Sequence, residues 1–177
     1  MKFQISNFNF PISNGFTFIE AILYVTIVSV MPTALIPFAW DMIEGGVKSS
    51  VQQEVSSNAR NISERIKYEI RNATGINSTS CGITDKTFSL VNNNSSLNPT
   101  VITYTSPNIT IKQGAGATIN LNSADVVISN FSCTQNTSGT LSKNISVGFT
   151  VSQANTGPRA DFKSTIAVST SAELRSN

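Results

Sequence analysis

Histidine is absent from this 177-residue chain, charged residues make up only 12% of it, and cysteine occurs twice. Each shortage excludes something. Without histidine there is no Ser/His/Asp or Cys/His nucleophile pair and no His-ligated metal site, the commonest designs of hydrolases and zinc enzymes. The chain is therefore expected not to be an enzyme, and to need neither cofactor nor metal. An ordinary soluble domain is roughly 25% charged, so part of this one is expected to lie outside water. Twelve Lys and Arg against ten Asp and Glu leave a formal charge of +2. That is too near balance for a protein that tracks a nucleic-acid backbone, and nucleic acid is not expected as a partner. The cysteines, Cys81 and Cys133, stand 52 positions apart and form no CxxC redox or metal motif. In a chain so rich in Ser, Thr and Asn they read as a structural disulfide of an exported protein, two unrelated buried thiols being the alternative. Closing so long a loop would restrict the unfolded chain by about 4 kcal/mol in the entropic account.

The scarce charge is unevenly placed. Between Lys2 and Asp41 only Glu20 is charged, and Ala21 to Trp40 is an uncharged run of about 30 Å as a helix, the hydrocarbon thickness of a bilayer. Trp40 closes the run with an indole suited to the interface, and a polar segment from Asp41 to Gly46 follows. A single membrane crossing is expected. A secretory signal peptide is the rival reading, but its apolar region is about 7–15 residues and ends at a small-x-small site. Lys2, ahead of the span, favours a cytoplasmic N-terminus. Pro32 and Pro37 each remove a backbone hydrogen bond and are expected to loosen the helix. Glu20 is what hydropathy leaves unexplained, because a carboxylate in a membrane segment costs a few kcal/mol and usually has a partner or a function.

Glu20 lies in the stretch Gly15, Phe16, Thr17, Phe18, Ile19, Glu20, followed by Ala21, Ile22, Leu23, Tyr24 and Val25. This closely resembles the type IV prepilin signature: a glycine, then a phenylalanine, glutamate at the fifth residue of the mature chain, and an apolar helix behind it. Pro37, 21 residues after Phe16, falls where pilins often carry a helix-loosening proline. The leader departs from the family pattern in having Asn14 beside the glycine, where Lys or Arg is usual. The resemblance implies that a prepilin peptidase, a membrane aspartyl enzyme, cuts between Gly15 and Phe16 on the cytoplasmic side, often with methylation of the new Phe16 amine. It implies that Glu20 pairs with the N-terminal amine of a neighbouring subunit, which offsets the burial of both charges. The plainer reading of Glu20 is an interfacial carboxylate reaching headgroups. The partners implied are the peptidase, other pilin or pseudopilin subunits, the lipid bilayer and, indirectly, a membrane platform protein and an assembly ATPase.

Beyond Gly45 and Gly46, apolar residues recur at Val47, Val51, Val55, Ala59, Ile62, Ile66, Ile70 and Ala73, a mean step of about 3.7 that marks one buried face of an amphipathic helix. Arg60 with Glu64, and Arg65 with Glu69, are expected as i,i+4 ion pairs on its solvated face, with Thr74 and Gly75 as its stop. The pair Gly45 and Gly46 reads as a weak point in one long helix rather than a linker. Ser63 to Ile76 also resembles, more weakly, the end of the long helix in minor pseudopilins of the J or W type. After Ile76 the pattern becomes short apolar stretches between Asn, Ser, Gly and Pro. Strands are predicted at Thr87 to Val91, Val101 to Thr105, Asn108 to Lys112, Thr118 to Leu121, Val126 to Cys133, Ile145 to Ser152 and Phe162 to Ser169. Turns are predicted at Asn92 to Asn98, Gly114 to Gly116, Gln135 to Ser142 and Asn155 to Arg159.

The expected fold is α+β and pilin-like, with a long N-terminal helix packed on an antiparallel β-sheet head. The segments are a leader (1–15), a transmembrane and assembly helix (16–43), an amphipathic helix (44–75) and an extracytoplasmic β-rich head (76–177). The head's acids, Asp85, Asp125, Asp161 and Glu173, fall on different elements, so no paired-carboxylate site or calcium loop is read. Asn-x-Ser/Thr sequons at Asn72, Asn77, Asn108, Asn130, Asn136 and Asn144 follow from composition. The expected function is that of a minor pilin or pseudopilin, a structural subunit extracted from a prokaryotic cytoplasmic membrane into a type IV pilus or a type II secretion or DNA-uptake pseudopilus. The alternative is a signal-anchored cell-surface binding protein, adhesin-like, with a β-rich recognition head.

Overall fold

The computed structural model describes residues 15–81, 86–138, 142–154 and 163–174, with backbone alone at 78–81, 137–138 and 142. The chain forms two compact units, Met1–Ile43 and Glu44–Asn177. Its fold is α+β, one long N-terminal helix with antiparallel sheets. Helix α1 spans Phe18–Asn72 and is long and apolar enough to cross a membrane by length and composition.

In the first unit every residue from Gly15 to Ile43 is exposed. The aliphatic hydroxyls of the run bend back on their own helix. Thr26 Oγ1 donates to Leu23 O at 2.8 Å, Ser29 Oγ to Val25 O at 2.6 Å and Thr33 Oγ1 to Val30 O at 2.7 Å. A hydroxyl satisfied in this way adds little cost in hydrocarbon. Pro32 and Pro37 lie inside α1, which stays helical through both; each lacks the N–H that would reach the carbonyl four residues back. Gly45 and Gly46 are helical as well.

In the second unit the apolar stripe is buried from Val55 through Ala59, Ile62, Ile66 and Ile70 to Ala73. Each fully buried Val or Ile contributes roughly 1.5–3 kcal/mol relative to an exposed one. The stripe belongs to one core with Phe88, Leu90, Ile102, Ile109 and Ile111 of one sheet and Ile128, Phe131, Ile145, Val147, Phe149 and Val151 of another. The first sheet is an antiparallel meander of β1 (Gly75–Cys81), β2 (Lys86–Val91), β3 (Thr100–Thr105), β4 (Asn108–Gln113) and β5 (Ile119–Asn120). The second is β6 (Val126–Ser138), β7 (Ser142–Gln153) and β8 (Thr165–Glu173). Phe88, Ile102 and Ile111 are cross-strand partners in one buried row.

The sheets meet where Tyr104 stacks on Phe131, ring centroids 5.3 Å apart, while its hydroxyl donates to Ile128 O at 3.1 Å. Strand β6 buries Val126 and Ile128, then Phe131 and Cys133, an exchange of even for odd positions. The cause is a bulge between Ser129 and Ser132 with Asn130 at φ 51°; the extra residue restores the same face to the core. Polar pins complete the packing. Asn58 Oδ1 accepts from Ser123 N at 3.1 Å and its amide donates to Glu54 Oε1 at 2.7 Å. Asn122, buried, accepts from Ile109 N and donates to Asn108 Oδ1, Ser123 O and Val126 O.

Several expectations need correction. The strands form two sheets, not one. The helix ends at Asn72, at the stop expected from Thr74 and Gly75, but Gly75 also opens β1, a strand not predicted, because Thr74 N donates to Val91 O at 2.9 Å and carries the chain straight onto the edge of β2. The turn placed at Gln135 to Ser142 is mostly strand, since β6 and β7 pair from Gln135↔Ile145 to Ser138↔Ser142. The Thr118 to Leu121 strand shrinks to Ile119–Asn120, and the last strand runs on to Glu173. The turn at Asn155 to Arg159, with Asp85 and Asp161, lies outside the described residues. Glu64 pairs with Lys67 at 2.6 Å instead of Arg60, and this hydrogen bond holds its carboxyl below the usual range. Arg65 does pair with Glu69, at 2.7 Å, yet Glu69 is only 2% exposed. It stands seven residues after Ile62 and three after Ile66, on the flank of the buried stripe. Gln113 Nε2 donates to both its oxygens at 3.1 Å.

Cys133 is disulfide-bonded. The side chain of Cys81, the chain's other cysteine, lies outside the described residues, and the proposed Cys81–Cys133 bond is to be tested by mass mapping under non-reducing conditions. Two alkylatable thiols in the folded native protein would exclude it; otherwise its loss is expected to lower stability by about 2–5 kcal/mol.

Gly114 offers a sharper probe of the head. Its φ is +51° and a Cβ there would sit 2.3 Å from Ser96 O, so neither conformation nor space admits a side chain. Gly114→Ala is expected to destabilise the second unit by roughly 2–3 kcal/mol in denaturant unfolding, whereas Gly116→Ala, 3.0 Å from Gln113 O without a positive φ, should cost less.

Candidate functional site

Gly15, Phe16 and Thr17 precede α1 in non-helical conformation. Phe16 is 80% exposed, and a Cβ on Gly15 would meet no atom within 4 Å. Among the described residues no contact demands glycine at position 15.

The helix start has a local cause that the family resemblance conceals. Thr17 O accepts the first helical bond, from Ala21 N at 3.1 Å, and Thr17 Oγ1 accepts from Glu20 N at 3.4 Å. Thr17 is thus the N-cap and Glu20 the third helical residue, the S/T-x-x-E spacing of a capping box. That signal is present in the sequence as Thr17, Phe18, Ile19, Glu20 but is masked by the Gly-Phe-Glu pattern laid over the same residues. The position also gives Glu20 an intrachain role, because a carboxylate in the first turn suits the helix dipole. No lysine or arginine lies between Phe16 and Trp40, so the helix itself supplies no cation to Glu20.

The structure brings Gly15, Phe16 and Glu20 together at one helix end. It places Pro32 and Pro37 farther along the same helix and Cys133 in the second unit. On the head, a groove of about 320 Å³ is lined by Arg65, Leu97, Ile111, Gln113, Ala117 and Ile119 among others. Of its polar side chains, Arg65 and Gln113 are committed to Glu69 and Ser96 to Asn94, and no residue that lines it is acidic. Among the described residues no group of three or more His, Cys, Asp or Glu side chains is placed to hold a metal ion. Comparison of the chain with protein-family models, curated proteins and solved structures finds no match.

The cap is directly testable. Thr17→Ala is expected to cost about 1 kcal/mol of local helix stability, read as roughly fivefold faster amide exchange at Glu20 and Ala21 in the full chain in micelles. Thr17→Ser should exchange like the parent, and equal rates in all three would remove the cap.

Proposed function

We propose that the chain is a minor pilin or pseudopilin, a non-enzymatic structural subunit. In this reading it is stored in a prokaryotic cytoplasmic membrane with its N-terminus cytoplasmic and its head outside. After loss of residues 1–15 it enters a type IV pilus, or a pseudopilus of type II secretion or DNA uptake. The observation that carries the reading is the Gly15–Phe16 junction: exposed, non-helical, free of any structural need for glycine, and followed within a turn by Glu20 on an uncovered apolar helix. The partners of the reading are the prepilin peptidase, neighbouring pilin subunits, the bilayer, and the platform protein and ATPase that supply the energy. The apolar surface of α1 has two solvents in turn, lipid before assembly and neighbouring helices after it.

The deciding experiment is the intact mass of the protein from native membranes, with and without the peptidase. A chain that begins at Phe16, with or without a methyl group on its amine, is expected. A chain that still begins at Met1 would overturn the reading and favour a signal-anchored surface binding protein. Glu20→Gln separates the two roles of Glu20, because glutamine serves a capping box as well as glutamate does but carries no charge. Cleavage and helix exchange should persist while co-purification with sheared filaments falls. Undiminished incorporation at a non-tip position would mean that the charge does not register subunits.

A further inference from the structure

The three-stranded sheet ends on β8, whose only strand neighbour among the described residues is β7. Free edges are usually blunted by charge, proline or a bulge. Strand β8 has no bulge or proline and is charged only at its last residue, Glu173: its register with β7 is unbroken from Ser152↔Thr165 to Asn144↔Glu173, and neither charge nor proline occurs between Lys163 and Glu173. The ladder tells which backbone groups have no partner among the described residues. Gln153 N donates to Ser164 O at 3.2 Å and Leu174 N to Lys143 O at 3.0 Å. Because antiparallel pairs alternate between bonded and non-bonded, even-numbered residues of β8 turn their N–H and C=O towards β7. Thr165, Ala167, Ser169, Ser171 and Glu173 turn theirs outward, and their side chains are all exposed.

The charges at the two ends are self-complementary. Lys163 and Glu173, both exposed, are opposite in sign and each five residues from Val168. We propose that β8 pairs with β8 of a second copy of this chain, antiparallel about a two-fold axis at Val168, so that Lys163 of each copy faces Glu173 of the other. In this register Thr165 meets Ser171 and Ala167 meets Ser169, residues whose backbone groups turn outward. Ile166 meets Thr170 and Val168 meets itself as a non-bonded pair. A slip of two residues keeps the backbone bonds but loses both Lys–Glu contacts, so the charges choose the register. The two three-stranded sheets become one sheet of twice the width. A two-fold contact is closed: it joins two chains and does not propagate a filament, and it stands whether or not residues 1–15 are removed.

The test uses the full chain in its membrane, with single cysteines added and mild oxidation. Val168→Cys places the two sulfurs across a non-bonded pair, where the Cα atoms lie about 4.5 Å apart, and is expected to give a disulfide-linked dimer on a non-reducing gel. Thr165→Cys alone should not. Since Val168 also packs against the core, co-expression of Ala167→Cys with Ser169→Cys, both at exposed positions, provides a second link that leaves the core intact. Lys163→Glu or Glu173→Lys should lower the yield of either link about fivefold or more, and the double reversal should restore it. Yields no higher than that of Thr165→Cys, or unmoved by charge reversal, would overturn the proposal. Helix association in the bilayer does not mimic the result, because it does not select partners along β8.

Discussion

The apolar surface of α1 from Phe18 to Ile43 is fully uncovered, and that constraint governs the rest of the structure. One helix must answer to two environments. Ahead of Glu44 apolar side chains lie on every side, Glu20 and Asp41 are the charges, and Thr26, Ser29 and Thr33 bond to their own backbone, an arrangement compatible with hydrocarbon. Beyond it a stripe from Val55 to Ala73 is buried, flanked by the buried polar side chains of Asn58, Ser63 and Glu69. Both sheets pack into one core with that stripe. The first sheet supplies Phe88, Leu90 and Ile102 against it, the second supplies Ile128 and Phe149, and the bulge at Asn130 keeps β6 in phase with both.

Much of this was legible in the sequence because periodicity carried it. Of the eight residues expected on the stripe, the six from Val55 to Ala73 are buried, while Val47 and Val51 are only half-buried. Strands β2, β3, β4 and β7 fall within a few residues of the predicted ranges, since Ile145, Val147, Phe149 and Val151 alternate cleanly. What was not legible depended on partners distant in sequence. Strand β1 has Ile76 followed by Asn, Ser and Thr, and it is a strand because β2 offers it an edge. Residues 135–138 are polar and read as a turn, but long pairing with β7 overrides their composition. Glu69 looked like surface charge because its partner Gln113 is 44 residues away. The division of the strands into two sheets has no local signature.

At the candidate site, legibility failed in a different way. Gly15, Phe16 and Glu20 were found together and the structure places them together, yet Thr17 passed unnoticed between them. Two codes overlap on these six residues. One positions a helix start by capping; the other, if the proposed function holds, addresses a peptidase and a neighbouring subunit. Overlap of this kind limits drift, because replacing Glu20 perturbs both codes unless the replacement preserves the capping geometry.

The two polar pins between helix and sheets have a mechanical meaning. Asn58 and Glu54 hold Ser123, and about three to four turns further along the same helix Glu69 holds Gln113. Tension applied to the head through α1 runs along the line that joins these clamps. The hydrogen bonds and the Ile62 and Ile66 side chains between them are therefore loaded in shear and must yield together, whereas a helix pulled away sideways would release them one at a time. A subunit drawn by its helix would resist such loading far better than its modest number of clamps implies, and the rupture force in a pulling experiment is the quantity that expresses it.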